Sequence, residues 1–241
     1  MEIAARHISK RFGGLNALDD VSVVARAGEV TAVIGPNGAG KSTLINCLCG
    51  AFPMTRGEIV IDGCSHTKIG AQELIGLGIA RTFQTSRLWE HLTVAEHLRI
   101  VAVNYGRSPR AKVDGSVPDI DELLGRFSLV RKRDQLPHEL SYGERRRLEL
   151  ARCLASRPKL ILLDEPAAGF NLSEQADLAG QIREISGTGV ALVLVEHHMD
   201  IVATVSSSVV VLNFGKVLMA GTMEEVRNNP NVIAAYLGGA A

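Results

Sequence analysis

Residues Gly35–Thr43 read GPNGAGKST and fit the pattern G-x-x-x-x-G-K-[ST] at every fixed position. The glycines allow the backbone to curl so that successive N–H groups point inward, which forms a cradle for phosphate oxygens. Lys41 would place a compact positive charge on the β- and γ-phosphates, and the Ser42 hydroxyl would bind Mg²⁺. The predicted phosphate-binding residues are Gly35, Pro36, Asn37, Gly38, Ala39, Gly40, Lys41, Ser42 and Thr43.

The sequence on either side of this loop supports the same interpretation. Glu29–Ile34 is a short apolar stretch typical of a strand, and Lys41–Gly50 carries apolar residues at helical spacing before it stops at a glycine. A strand, a glycine loop and a helix place a helix N-terminus against an anion. A chance glycine-rich turn is the alternative, and it would not need these flanking elements.

Composition limits the classes of protein that need consideration. The 241 residues suit one large domain or two small ones, and 46% are hydrophobic, which is enough for a substantial core. Lys plus Arg and Asp plus Glu both number 26, so the formal net charge is zero. This balance argues against a nucleic-acid-binding protein that works by bulk electrostatics.

The cysteines and the hydropathy indicate a protein of the cytosol. The four cysteines lack metal-binding spacing and are expected to be reduced core thiols. They are Cys47, Cys49, Cys64 and Cys153. The first residues do not resemble a signal peptide, and no run reaches the ~18 apolar residues that a spanning helix needs. Any crossing of a membrane is therefore expected from another chain.

The remaining sequence predicts an α/β fold with a P-loop NTPase core. Strands are expected within Met1–Arg26 around a Gly13-Gly14 turn, and at Gly57–Asp62, Leu160–Leu163, Val190–Val195, Val209–Leu212 and Lys216–Ala220. Helices are expected at Gln72–Gly78, Val94–Asn104, Asp119–Leu129, Ser173–Ile185, Glu224–Asn228 and Val232–Leu237, with Tyr105–Pro118 as a surface loop. Capping boxes at Thr93 and Ser141 mark two further helix starts.

Two acids follow the apolar strand Leu160–Leu163. A P-loop NTPase needs a carboxylate for Mg²⁺ at the end of a buried strand, and Asp164 is the candidate, acting through water. Glu165 would leave the strand end towards the γ-phosphate, where it can polarise an attacking water as a general base. The alternative is a pair of solvated acids at a strand end, which the presence of the P-loop disfavours.

The segment Leu140–Glu144 reads LSYGE, which alone is only a capping box. Ser141 Oγ and the Gly143 N–H at a helix N-terminus make a second anion site. Together with the other two motifs, this segment resembles the signature sequence of ATP-binding-cassette (ABC) ATPases. The resemblance implies an ABC-type, RecA-like core with an antiparallel β layer and a helical insertion, in which the signature closes on ATP held by a second subunit.

The resemblance extends over nearly the whole chain and assigns further roles. Phe12 matches the aromatic residue that stacks on adenine, and Gln84 matches the glutamine that reaches Mg²⁺ and senses the transmembrane partner. Residues 168–171 match the D-loop, and His197 matches the switch histidine that contacts the γ-phosphate. Without the resemblance, the adjacent His197–His198 pair would be interpreted as surface residues. The core would comprise residues 1–84 and 153–220, the helical part about 85–152, and the tail 221–241.

Several stretches are similar to the ATP-binding subunits of branched-chain amino-acid importers. They are Arg11–Gly14, Arg81–Gln84, Glu165–Gly169 and the tail Arg227–Gly238. Three positions depart from common patterns: Glu144 stands where many signatures have Gln, Asn171 where the wider family usually has Asp, and Phe170 where Leu is common. The Thr93–Glu139 stretch is also shorter than in many such importers.

Two other residue groups have simpler explanations. Arg145, Arg146, Arg147 and Arg152 lack interleaved aromatics and are expected to form a solvated helix face rather than a nucleic-acid surface. The seven histidines show no zinc spacing.

The sequence therefore predicts an ATP-hydrolysing subunit of an ABC importer for branched-chain or related amino acids, at the cytoplasmic face of the membrane. Its partners would be transmembrane permeases, a second ATP-binding subunit and, indirectly, a substrate-binding protein, with ATP and Mg²⁺ as cofactors. The alternatives are a soluble ABC ATPase of repair, translation or cofactor assembly, and a P-loop kinase. A groove at Ser86–Trp89 and the start of the Val94 helix is the expected permease contact.

Overall fold

Two β-sheets organise the computed structural model, which describes residues 2–82, 87–114 and 117–237. The strands are β1 Glu2–Phe12, β2 Leu15–Arg26, β3 Val30–Ile34, β4 Arg56–Ile61, β5 Cys64–His66, β6 Ile79–Arg81, β7 Leu160–Asp164, β8 Ala191–Val195, β9 Ser208–Asn213 and β10 Lys216–Gly221. The helices are α1 Lys41–Leu48, α2 Ala71–Leu77, α3 Val94–Gly106, α4 Pro109–Asp114, α5 Ile120–Arg126, α6 Tyr142–Leu154, α7 Leu172–Gly187, α8 Met199–Val205, α9 Met223–Arg227 and α10 Pro230–Leu237.

The larger sheet brings the functional loops to one edge. Its strand order is β10-β9-β3-β8-β7-β6, and all neighbours are parallel except the β9–β10 hairpin. In such a sheet, ligands bind outside the carboxyl ends of the strands. The loops after β3, β7 and β8 therefore open at the same edge, although they are far apart in the chain.

Alternation along the parallel strands buries both faces of this sheet. On β7, Ile161 and Leu163 pack into a core formed with the helical part, whereas Leu160 and Leu162 pack against the second sheet. That second sheet is antiparallel, with strand order β2-β1-β4-β5, and α1 lies in the same core. The predicted antiparallel layer in front of a P-loop core is confirmed.

Helices α3, α5 and α6 pack together in the middle of the chain. Thr93 and Ser141 both form complete capping boxes, with Glu96 and Glu144 at the third helical position. The two helix starts that these boxes predict are confirmed, because each box satisfies N–H groups that the helix leaves without a partner.

Two expectations about local structure are wrong, and one helix is additional to those expected. The stretch expected to be a loop contains α4, where Pro109 suits a first helical position, and Tyr105 is buried at the end of α3 beneath the Arg110 guanidinium. Cys64 is exposed, since it lies in the edge strand β5, while Cys47 and Cys153 are buried and Cys49 is half-buried. The helix α8 was not expected from the sequence.

No helix within residues 2–82, 87–114 and 117–237 is both long and apolar enough to span a membrane.

Candidate nucleotide-binding site

A cavity of about 450 Å³ lies at the carboxyl end of β3. Such a volume falls in the range of small-molecule sites. Its lining joins the P-loop to the first two strands, the end of β7 and the β9–β10 turn. The lining residues are Phe12, Leu15, Asn16, Ala17, Asn37, Gly38, Ala39, Gly40, Lys41, Ser42, Thr43, Glu165, Phe214 and Gly215.

Glycine is required at two points of the P-loop by the space around it. Gly35 has φ 150°, and a Cβ there would lie 2.2 Å from the Leu212 carbonyl oxygen. Gly40 has φ 104° and caps α1, and its Cβ would approach the Ala17 carbonyl oxygen to 2.7 Å. The loop is therefore held between β9 and β2, with the N-terminus of α1 directed at the cavity.

Lys41 lies at the centre of the charges in this site. Its side chain is nearly buried, and Nζ donates hydrogen bonds to the carbonyl oxygens of Gly35 at 2.8 Å and Pro36 at 3.0 Å. Burial lowers the pKa of the ammonium below its ordinary value, while the carboxylates of Glu165 and Asp164 act in the opposite direction. The loop, the base candidate and the metal candidate thus share one electrostatic environment.

Asp164 ends β7 and is 5% exposed. Its Oδ2 accepts a hydrogen bond from Arg81 Nη2 at 2.9 Å. Burial raises the pKa of the Asp164 carboxyl above its ordinary value; Arg81 opposes the rise, Glu165 adds to it, and Lys41 opposes it. Among the described residues, no hydrogen bond is made to Oδ1, which leaves that oxygen as an acceptor.

Glu165 follows in a left-handed conformation with φ 45°, and its N–H donates to the Val195 carbonyl oxygen at 2.9 Å. His197 Nδ1 lies 3.9 Å from Glu165 Oε2. The structure therefore brings together the base candidate and the switch-histidine candidate, which come from the ends of β7 and β8.

Glu196 is a residue of this edge that the sequence did not single out. Its fully buried carboxylate accepts hydrogen bonds from the N–H groups of Ala167 at 2.8 Å, His197 at 3.0 Å and His198 at 3.2 Å. Glu196, His197 and His198 lie close enough to hold a cation. Because three N–H groups already occupy the carboxylate, we interpret Glu196 as the residue that joins the two loops. An acid directly after an apolar strand was the available signal.

Aromatic rings lie on two sides of the cavity. Phe12 is 42% exposed, packs edge-on against Phe52 with ring centroids 5.4 Å apart, and has Lys10 Nζ 4.7 Å from its ring. Part of the Phe12 ring is therefore accessible from the cavity, and its stacking on adenine stays a prediction. Phe214 was not predicted; it stands at the β9–β10 turn, which binds the P-loop through a 3.0 Å hydrogen bond from Gly215 N–H to the Ala39 carbonyl oxygen.

The second predicted anion site lies elsewhere. Ser141 and Gly143 are not among the described residues that line the nucleotide cavity, and Gly143 instead borders a small cavity with Arg146 and Phe170. Tyr142 between them donates a 2.9 Å hydrogen bond to the Ala168 carbonyl oxygen. The structure therefore joins the LSYGE segment to residues 168–171, and separates it from the P-loop of the same chain.

These motifs agree with comparisons to known proteins. A family model described as ABC transporter matches residues 18–168. The chain belongs to this ABC transporter family. A second model, described as branched-chain amino acid ATP-binding cassette transporter, matches residues 216–241. We refer to the chain below as the cassette.

Individual relatives cover almost all of the cassette. It is 37% identical to the high-affinity branched-chain amino acid transport ATP-binding protein LivG of Salmonella typhimurium, over 98% of this chain and 97% of that one. It is 36% identical to the corresponding protein BraF of Pseudomonas aeruginosa, over 96% and 95%. Among solved structures, the ADP conformation of MJ1267, an ATP-binding cassette of an ABC transporter, has a TM-score of 0.86 and 32% identity over 99% of both chains.

The predicted solvated arginine face of α6 needs correction. Arg146 is 3% exposed, and its Nη1 donates to Glu149 Oε2 at 2.8 Å inside the cassette. Arg152 Nη1 donates to the Arg87 carbonyl oxygen at 2.8 Å. Arg145 Nε also donates to the Leu140 carbonyl oxygen at 3.1 Å, so three of the four arginines bind partners within the chain.

A groove of about 510 Å³ lies on another face of the cassette. Trp89, which is 46% exposed, lines it with Ile75 and Val101. The Trp89 ring is held by the Arg152 guanidinium at 5.2 Å and the His97 ring at 5.3 Å. We call this surface, lined by Cys49, Ala51, Ala71, Ile75, Ile79, Ala80, Arg81, Arg87, Trp89, Val101, Arg152, Cys153 and Ser156, the Trp89 groove.

The expected outline of this groove is partly wrong. Leu88 packs against the helical core and borders a different cavity with Pro137 and Arg145, and Val94 is fully buried. Among the described residues from 87 to 89, Arg87 and Trp89 line the Trp89 groove, whereas Leu88 does not. Gln84 and Ser86 lie outside the described residues.

Proposed function

We propose that the cassette binds and hydrolyses ATP to power import of branched-chain or related amino acids. The observation that carries this proposal is the single cavity in which the P-loop, Lys41, Glu165 and Phe12 meet. The identities of 37% and 36% to two branched-chain amino acid transport ATP-binding proteins support the substrate class. A soluble cassette of repair or translation is not favoured, because the tail matches a transporter model.

Different residues of the cavity are proposed to bind the phosphates, the metal and the adenine ring of ATP. The N–H groups of the P-loop and Lys41 bind the phosphates, and Phe12 stacks on adenine. The Ser42 hydroxyl and the Asp164 carboxylate are the hard oxygen ligands that Mg²⁺ prefers, directly or through water, and Gln84 is proposed to join them. When bound, Mg²⁺ would neutralise developing charge on the phosphates.

Glu165 is the proposed general base. A carboxylate at the end of β7, beside the nearly buried Lys41, can take a proton from an attacking water. His197, whose Nδ1 is 3.9 Å from the Glu165 carboxylate, is proposed to bind the γ-phosphate and fix the orientation of that base.

The complete site requires two cassettes. Ser141 and Gly143 form an anion site outside the cavity of their own chain, and Tyr142 connects them to Ala168. We propose that this end of α6 closes on ATP in a second cassette, identical or related, and that hydrolysis lets the two part. Nucleotide thus shifts the population between open and closed pairs.

The Trp89 groove is the proposed contact for a cytoplasmic helix of a permease. The groove is mainly apolar and lies between the core, residues 1–84 and 153–220, and the helical part, about 85–152. Gln84 would connect the groove to the nucleotide. Residues 221–241 form the C-terminal tail, the third part of the proposed domain division. The cassette would then lie at the cytoplasmic face, and a substrate-binding protein would act through the permease.

Glu165→Gln tests the catalytic assignment. The change removes the base but keeps the shape, so ATP hydrolysis should fall about 10²–10⁴-fold while ATP binding stays within a few-fold of the unaltered cassette. Turnover by malachite-green assay and dimerisation by size exclusion with ATP are the measurements. An ATP-dependent dimer is expected to accumulate. Near-normal turnover would remove Glu165 from this role.

Trp89→Glu tests the docking proposal. A charge in the groove should prevent co-purification with the permeases and abolish transport, while isolated ATPase activity is retained. Val113→Glu is the matched control, because Val113 is 86% exposed and does not line the groove. Normal transport by Trp89→Glu, or equal loss in both variants, would place the contact elsewhere.

A further inference from the structure

Arg81 is the last residue of β6, the edge strand beside β7. Its side chain is 12% exposed. Nη2 donates to Asp164 Oδ2 at 2.9 Å, and Nη1 donates to Asn46 Oδ1 at 2.6 Å and lies 3.2 Å from Cys49 Sγ. One guanidinium therefore joins the ends of two strands to α1.

These contacts continue to the other proposed metal ligand. Asn46 Nδ2 donates a 2.7 Å hydrogen bond to the Ser42 carbonyl oxygen. Ser42, Asn46, Arg81 and Asp164 thus form a connected series of hydrogen bonds behind the phosphate loop. Partners of this kind orient a ligand and set its charge without touching the metal.

Arg81 holds one oxygen of the Asp164 carboxylate in place. Its Nη2 donates to Oδ2, and no described residue donates a hydrogen bond to Oδ1. Oδ1 is therefore the oxygen that could accept a hydrogen bond from metal-bound water, while the contact with Arg81 fixes the plane of the carboxylate.

We propose that Arg81 is a positioning residue that orients Asp164 for Mg²⁺·ATP. The inference rests on the proposed function, in which Asp164 holds Mg²⁺. Arg81 also lines the Trp89 groove. One residue therefore contacts both the groove and Asp164, the carboxylate proposed to bind the metal.

The test compares nucleotide binding with and without the metal. In a Glu165→Gln background, ATP affinity is measured by calorimetry in Mg²⁺ and again in EDTA, and the ratio is the readout. Arg81→Met should reduce that ratio about ten- to a hundredfold. Arg81→Lys, which keeps the charge without the planar fork, should restore part of the lost ratio.

Arg126→Met is the matched control, because Arg126 makes a 2.7 Å ion pair with Glu184 between α5 and α7. It should leave the ratio unchanged. If Arg81→Met does not fold, judged by its thermal unfolding, Arg81→Lys alone decides: an unchanged ratio overturns the inference. An unchanged or increased ratio in a folded Arg81→Met does the same. Asp164→Asn separates the two proposals, since a ratio that survives this change refutes the metal role of Asp164 itself.

Discussion

The P-loop and the start of α6 are both helix N-termini that can bind a phosphate, but their surroundings differ. At the P-loop, Lys41 is 7% exposed and shares its environment with two carboxylates. At α6, Ser141 is exposed, and its Oγ accepts a hydrogen bond from the Glu144 N–H at 3.3 Å. We propose that the first supplies the main nucleotide contacts from one chain, whereas the second gains a ligand only by contact with another chain.

This difference predicts separate roles for the P-loop and for the start of α6 in nucleotide binding and in dimer closure. The P-loop end should determine whether nucleotide binds at all, because it holds the buried charge. The α6 end should determine only whether two cassettes close, because its donors are already solvated or capped. Substitutions at the P-loop should therefore impair nucleotide binding, whereas substitutions at the start of α6 should impair dimer closure.

Lys41→Ala should have the largest effect. Loss of the ammonium removes charge-assisted hydrogen bonds, so ATP binding should weaken by at least about 2 kcal/mol, and hydrolysis should become undetectable. Fluorescent-nucleotide titration and an ATPase assay measure both. Lys159→Ala, which breaks a surface ion pair with Asp62, is the control and should behave as the unaltered cassette. Retained hydrolysis by Lys41→Ala would contradict the assignment.

A mixture of two inactive variants should recover part of the activity. If the cassette pairs with itself, Lys41→Ala protein and Ser141→Arg protein together form one intact composite site, made of one P-loop and the opposite α6. Recovered ATPase activity as a function of mixing ratio is the measurement. The double variant in a single chain is the control and should stay inactive. Mixed dimers that demonstrably form without any recovery would refute the shared site.

Glu144→Gln should have the smallest effect. Burial raises the pKa of Glu144, but hydrogen bonds from Ser141 and the charge of Lys132 outweigh this, so the pKa lies below its ordinary value. A lowered pKa contributes stability above the unfolded pKa and loses it as pH falls. The variant should therefore unfold about 0.5 kcal/mol more easily at pH 7, and the difference should shrink below about pH 4. Chemical denaturation at both pH values tests this.

The sequence predicted the fold well where periodicity and motif agree. Apolar runs such as Leu160–Leu163 lie between two cores, as expected of a strand buried on both faces. Both capping boxes marked real helix starts, since their effect is local. The helix α4 was missed because Gly, Ser and Pro in its neighbourhood favour loops, while packing against α2 and α3 decides its structure.

The site was less predictable wherever long-range contacts decide it. Lys41, Asp164 and Glu165 follow from motif and strand pattern, and the structure brings them together. The role of Arg81 could not be found this way, because its partner Asp164 is far away in the chain. Glu196 was signalled by its position directly after β8, but its contact with Ala167 was not. Within α6, the i,i+3 spacing of Arg146 and Glu149 is compatible with a local ion pair, but the sequence did not indicate that the pair is buried.

The left-handed backbone of Glu165 has a consequence for engineering. In an extended strand, neighbouring side chains point to opposite faces, but the turn at φ 45° breaks this alternation, so that both Asp164 and Glu165 act on Lys41. Such a conformation costs a non-glycine residue about 1 kcal/mol or more. Glycine would adopt it without strain. A screen for heat resistance alone would therefore favour loss of this carboxylate, and a stabilised library should be sorted for turnover at the same time.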